Sequence, residues 1–144
     1  MGVLNKKVKY DSLKTTKQKE IYNFQKVSAI FVDYGYSVTP LRDDAEFADF
    51  VAVPFIRDEK TEPLWVQLKS GFTVRKEYLD KNLYICFFER KEKMWYLYPH
   101  DDFYKKYEDK FQKKAKTWDK THKYEMDFIP SFVKHELDNY KIDQ

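Results

Sequence analysis

Leu64-Trp65-Val66-Gln67-Leu68-Lys69-Ser70-Gly71 alternates without a break until the Ser-Gly pair stops it. Strand side chains point to opposite faces in turn. Leu64, Val66 and Leu68 therefore share one face, and Trp65, Gln67 and Lys69 share the other. The first face is apolar and built to pack. The second carries an amide and an ammonium side by side. Lysine is seldom buried without a partner, so this face asks for an anion nearby. The candidate anion is Asp49, in Phe47-Ala48-Asp49-Phe50-Val51-Ala52-Val53. A carboxylate at the mouth of so apolar a run needs a cation, a metal ion or good hydrogen bonds. As neighbouring strands, the two segments would place Asp49 beside Gln67 and Lys69. The plain alternatives are a loop-capping or Arg42-paired aspartate and an edge strand with ordinary polar alternation.

Working outward, the spacing of Ile21, Phe24, Val27, Phe31 and Tyr34 predicts a helix over 16–34, capped by Thr16 and stopped by Gly35. Strands follow at 36–40, 50–56 and 64–69, the second interior because it is nearly all apolar. A polar loop over 41–46 and a charged turn over 57–63 separate them. Residues 73–81 read as a short helix. Residues 83–89 and 94–98 form a hairpin around Arg90-Lys91-Glu92-Lys93. Pro99-His100-Asp101 leads into a helix with the stripe Phe103, Tyr107, Phe111 and Ala115, His100 serving as a cap. A strand over 124–129 and a closing helix over 130–140 complete the chain. The order α-β-β-β-α-β-β-α describes an α/β fold, a mixed β-sheet flanked by helices.

The 144 residues suit one domain spanning 1–144, with a core over about 15–116 and a C-terminal extension over 117–144. Hydrophobic residues at 42% and aromatic residues at 19% supply that core, which excludes a disordered chain. The net charge of +3 hints only weakly at nucleic acid. Two lysine-rich groups say more, one around Lys6 to Lys19 and one around Lys105 to Lys123. Each suits a phosphate backbone, and each equally suits a solvated face. The lone Cys86 lies in an apolar run and forms no internal disulfide, which fits a reducing, cytoplasmic setting. The first residues lack the apolar segment of a signal peptide, and no apolar stretch is long enough to span a membrane. One cysteine and no paired ligand spacing argue against zinc. There is no glycine-rich phosphate loop and no Ser-His-Asp order.

Phosphodiester hydrolysis brings water to a negative centre and neutralises charge that builds on oxygen. Magnesium, or manganese in its place, does both when a few oxygen ligands leave positions open. Asp49 supplies an anionic ligand and Gln67 a neutral one. Glu20, one helical step before Phe24, supplies another, unless it is simply an acid favoured in a first helical turn. Lys69 orients the attacking water and stabilises the transition state. Arg75, Lys76 and Lys17 are candidates for phosphate contact. Trp65 is a candidate for base stacking because it shares the face of Gln67 and Lys69.

Asp49, a charged turn, then Gln67-Leu68-Lys69 on the next strand, with Glu20 on the preceding helix, resembles the PD-(D/E)XK nuclease superfamily. Trp65-Val66-Gln67-Leu68-Lys69-Ser70 is similar to the branch in which glutamine replaces the middle acid. That branch includes small group I intron homing endonucleases and defence-associated domains. Ala48 stands where the motif often has proline. The resemblance covers roughly residues 17–98. It implies a restriction-endonuclease-like fold, a Mg2+-dependent endonuclease acting on duplex or branched DNA, and the roles given above for Asp49, Gln67, Lys69 and Glu20. The loss of one charge at Gln67 favours a single ion. A small enzyme cutting both strands works as a homodimer, for which Trp118, Phe128 and Phe132 are candidate contacts. Two other readings stay open. One is a catalytically inactive nuclease-fold domain that binds nucleic acid or a protein. The other is a structural subunit whose lysine-rich helix meets an acidic partner.

Overall fold

Helix α1 (Thr16–Asp33) starts from a reciprocal cap at Thr15, one residue earlier than the sequence reading places it. The Thr15 hydroxyl accepts the Gln18 N–H at 3.1 Å, and the Gln18 side-chain oxygen accepts the Thr15 N–H at 3.3 Å. Gly35, at φ 85°, ends the helix in the left-handed conformation that glycine adopts without steric cost. The structure is a computed structural model describing residues 2–42, 47–56 and 61–142. Most of the loop read over 41–46 and of the turn read over 57–63 lies outside the described residues.

The buried stripe of α1 is Val27, Ile30 and Phe31, with Phe24 at its margin. Ile21 and Tyr34, expected in that stripe, are 52% and 51% exposed. Packing is confined to the middle of the helix, and the periodicity of the sequence continues past it.

The strands are β1 (Tyr36–Pro40), β2 (Phe50–Pro54), β3 (Leu64–Lys69), β4 (Phe72–Arg75), β5 (Leu83–Glu89), β6 (Met94–Pro99), β7 (Lys123–Met126) and β8 (Lys141–Ile142). Six of them form one sheet in the order β1-β2-β3-β5-β6-β8. β3 and β5 run parallel, and every other adjacent pair is antiparallel. The fold is thus a mixed, mostly antiparallel α/β sheet flanked by helices. Alternation sorts its side chains. Phe50, Ala52, Val66, Cys86 and Trp95 face α1 and bury a smaller core. Ile85, Phe87, Tyr96 and Tyr98 face the other way, into a larger core with Phe72, Phe103, Phe111 and Tyr124.

The segment 73–81 is not a helix. β4 and a 3-10 turn over Lys76–Tyr78 take its place. Thr73 and Val74 are buried and β-branched at position Cβ, a preference for the pleated chain that is satisfied once β7 pairs with β4. The element order is therefore α-β-β-β-β-β-β-α up to α2 (His100–Lys114), followed by α3 (Trp118–Thr121), β7, α4 (Ser131–Leu137) and β8. Neither α3 nor β8 is foreseen in the sequence reading. Beyond residue 117, set apart there as an extension, Trp118, Tyr124, Val133 and Leu137 are buried in the larger core. Trp118, at 2% exposed, cannot serve as a dimer contact. Among the described residues no helix is long and apolar enough to cross a membrane.

Candidate active site

Main-chain pairing places Asp49. Phe50 opposes Val66 in the β2–β3 ladder, and Asp49 comes just before it. The Asp49 N–H donates to the Val66 carbonyl at 2.8 Å, and its carboxylate accepts the Leu68 N–H at 2.7 Å. The two bonds straddle Gln67, so Asp49 is held against that residue's strand. A carboxylate accepting a main-chain N–H is fixed in direction and well stabilised as an anion. Leu68 packs toward the smaller core and Trp65 toward the larger one. By strand parity, Gln67 and Lys69 project with Trp65, away from α1.

Lys69 ends β3 over an aromatic floor. Its Nζ lies 5.6 Å from the centroid of the Tyr78 ring, and the Arg75 Cζ lies 5.4 Å from the same ring. Arg75 donates to Glu125 on β7 and to Glu77 at 3.1 Å. Its main-chain N–H donates to the buried His100 Nε2 at 3.0 Å, and His100 Nδ1 bonds to Asp101 at 2.9 Å. His100 thus ties α2 to β4 and makes no helix cap.

Burial, and then the Arg75 guanidinium, hold the Lys69 ammonium below the usual lysine range. Glu125, Asp49 and Glu77 oppose them. Burial pushes the Tyr78 phenol up to about 12, so it stays a neutral platform near neutral pH. The cluster around Lys69 is therefore one of alternating charge: Asp49 on one side, and Arg75 with its two carboxylates on the other.

Among the described residues no group of three or more His, Cys, Asp and Glu side chains is placed to hold a metal ion. An all-protein cage is thus not formed. Asp49 and Gln67 make a sparse oxygen donor set. That suits magnesium, which commonly takes one or two carboxylates and completes its shell with waters and substrate phosphate. The donor chemistry fits such an ion and does not fit a tightly enclosed one.

The other candidates are scattered. Glu20 stands exposed in the second turn of α1, past the first turn where the helix dipole would favour an acid, with Lys17 at 3.9 Å as its ion-pair partner. Both belong to the helix that covers the opposite face of the sheet, and the structure does not gather them with Gln67 and Lys69. Trp65 is half-buried against the larger core. Lys76 is exposed at a shallow depression shared with Arg75, His122 and Lys123. Arg75 is engaged by two carboxylates. The sequence reading missed Glu77, Tyr78 and Glu125. Only Lys123-Tyr124-Glu125-Met126 carries a signal for one of them, since its alternation points Glu125 outward.

No protein-family model matches the sequence, and no curated protein matches it. The chain is similar to the solved structure of a bacterial homing endonuclease, at 19% identity and a TM-score of 0.43, covering 63% of this chain and 70% of that one.

Proposed function

We propose that the chain is a metal-dependent endonuclease of the PD-(D/E)XK kind, hydrolysing phosphodiester bonds in DNA. One observation carries this reading. Asp49 is fixed by two hydrogen bonds across the step from Val66 to Leu68, with Gln67 between them and the partly desolvated Lys69 following on the same face. Asp49 and Gln67 would hold a divalent ion such as Mg2+. When bound, it supplies charge neutralisation at phosphate and a more acidic water. Lys69 donates from Nζ to a phosphoryl oxygen and stabilises the charge that grows there. Its lowered pKa eases the return of a proton to solvent. Tyr78 and Arg75 fix its direction. Cutting both strands with so small a chain calls for two copies, so a homodimer belongs to the reading.

The test is cleavage of linear duplex, single strand and branched junction with magnesium or manganese, beside Asp49→Ala and Lys69→Ala. Cleavage by the parent protein, lost in both folded variants, supports the assignment. Full activity in Lys69→Ala refutes it. Gln67 at the position of the motif's second acid, with no group of three metal-binding side chains among the described residues, favours one alternative, a nuclease-fold domain that binds DNA without cutting it. Salt-sensitive binding with no product in any metal would establish that domain instead.

A further inference from the structure

On the opposite face of the sheet, a groove of about 570 Å³ opens between α1, the β5–β6 hairpin and the residues preceding α1. Its size is that of a small-ligand site. Its far wall is the end of β3, at Lys69 and Ser70. Four aromatic rings line it: Tyr10, Tyr22, Phe88 and Trp95. Lys26, Arg90 and Lys93 stand among them, and Asp11 and Asp33 are its acids. Asp11 is paired with Arg90 at 2.8 Å, so the cations outnumber the acids left to oppose them.

The aromatic and cationic groups are layered. The Arg90 Cζ lies 4.1 Å from the Tyr10 ring centroid, and the Lys26 Nζ lies 5.4 Å from that of Tyr22. Tyr10 and Tyr22 meet edge to face at 5.4 Å, and Asn23 donates to the Tyr10 hydroxyl at 3.4 Å. Planar rings interleaved with cations suit a ligand that is both flat and anionic. A nucleotide meets both demands: its base stacks on an aromatic or guanidinium plane, and its phosphate pairs with lysine.

We infer that this groove binds a nucleotide unit of a single strand, carried over the end of β3 from the Asp49–Lys69 site. The strand's identity rests on the nuclease reading, but the binding test does not depend on cleavage. A duplex cannot enter with its bases stacked and paired, so the groove selects unpaired or branched DNA.

Fluorescence anisotropy of a labelled oligothymidylate, with the full chain and EDTA present, tests it. Tyr22→Ala should weaken binding roughly five- to 150-fold, the range for loss of one base-stacking ring. Tyr22→Phe should restore it. Lys26→Ala and Lys93→Ala should each lower the slope of log affinity against log salt by about 0.7. Gln112→Ala, exposed on α2 and outside the groove, should bind as the parent does. Inorganic polyphosphate tests the aromatic part of the inference. If it competes as well per charge and Tyr22→Ala binds normally, the rings are idle and the inference falls. Normal binding in all groove variants, with cleavage lost in Lys69→Ala, overturns the groove alone. Lost binding in those variants, with cleavage kept in Lys69→Ala, overturns the nuclease reading alone.

Discussion

Gly71 links β3 to β4, and replacing it with alanine should separate the strands that support Lys69. A methyl group built there would stand 2.0 Å from the Met126 carbonyl oxygen and 2.9 Å from the Asp127 Cα. Both are main-chain atoms, so no side chain can swing aside. Phe72 pairs with Met126 at this point, and two residues on in each strand the register runs to Val74 and Tyr124. Relief therefore means moving β7 away from β4. Overpacking a well-filled site costs about 1–3 kcal/mol, and a clash this deep on fixed backbone belongs at the upper end, about 3 kcal/mol. For a domain of this size that is a fall of about 10 °C in melting temperature. Gly35→Ala is the control. A methyl group there meets nothing within 4 Å, so only the positive φ resists it. That conformation costs an L-residue about 1–2 kcal/mol. Urea unfolding followed by circular dichroism compares the two. If Gly71→Ala is no more destabilising than Gly35→Ala, the close approach of Gly71 to β7 is wrong, and so is the support it gives the site.

Three further outcomes are expected. Phe50→Ala empties a fully buried position between Phe24 and Phe31, with ring centroids at 5.6 and 5.5 Å, and should cost about 3–5 kcal/mol by chemical denaturation. A smaller loss would mean that α1 collapses onto β2. Glu125→Gln removes a charge that raises the Lys69 pKa, so titration of labelled lysine by NMR should show Lys69 moving further down, with little loss of stability because the pair is partly exposed. Burial holds His100 below its ordinary value of 6.5 despite Asp101, so the folded state keeps the ring neutral and the unfolded chain takes up the proton first. Its contribution is present above about pH 6.5 and is lost as pH falls below it, at up to about 1.4 kcal/mol per pH unit. Unfolding of the parent and of His100→Gln between pH 5 and pH 7.5 checks this, and equal slopes would refute it.

Where local alternation and tertiary pairing agree, the sequence was readable. Residues 36–40 and 64–69 form strands with the bounds that their alternation and flanking Pro40 and Ser70-Gly71 mark. The β5–β6 hairpin sits around the turn that Arg90-Lys91-Glu92-Lys93 indicates, Lys93 taking a positive φ. Parity alone put Gln67 and Lys69 on one face and suggested Asp49 as their neighbour. Segment 73–81 departs from the expected helix because the partner of its strand, β7, lies about fifty residues on, and periodicity within a short window has no access to such a pairing. Glu77, Tyr78 and Glu125 were missed for the same reason. Glu20 lies apart from the expected group for a different reason. Helical spacing shows that it flanks a buried stripe, but not which face of the sheet that stripe covers.

The site owes its composition to one topological necessity. β3 and β5 run parallel, so the chain must leave the carboxyl end of β3 and return to the amino end of β5 before pairing can resume. That return is β4 and the turn over Lys76–Tyr78, and it passes over the face carrying Trp65, Gln67 and Lys69. It delivers Arg75, Glu77 and Tyr78 above a strand end that already holds Lys69. β7 then closes over β4 and adds Glu125. An antiparallel β3–β5 pair could be joined by a tight turn, and Lys69 would then have neither its aromatic floor nor its neighbouring charges. The same geometry makes register decisive. A one-residue slip of β3 would turn Gln67 and Lys69 toward α1, and Val66 and Leu68 into the charged cluster. Burial of Val66 between Phe50 and Tyr84, its neighbours in the two flanking ladders, opposes that slip. The apolar face of β3 thus keeps its polar face aimed, which ties the packing of the smaller core to the chemistry on the other side of the sheet.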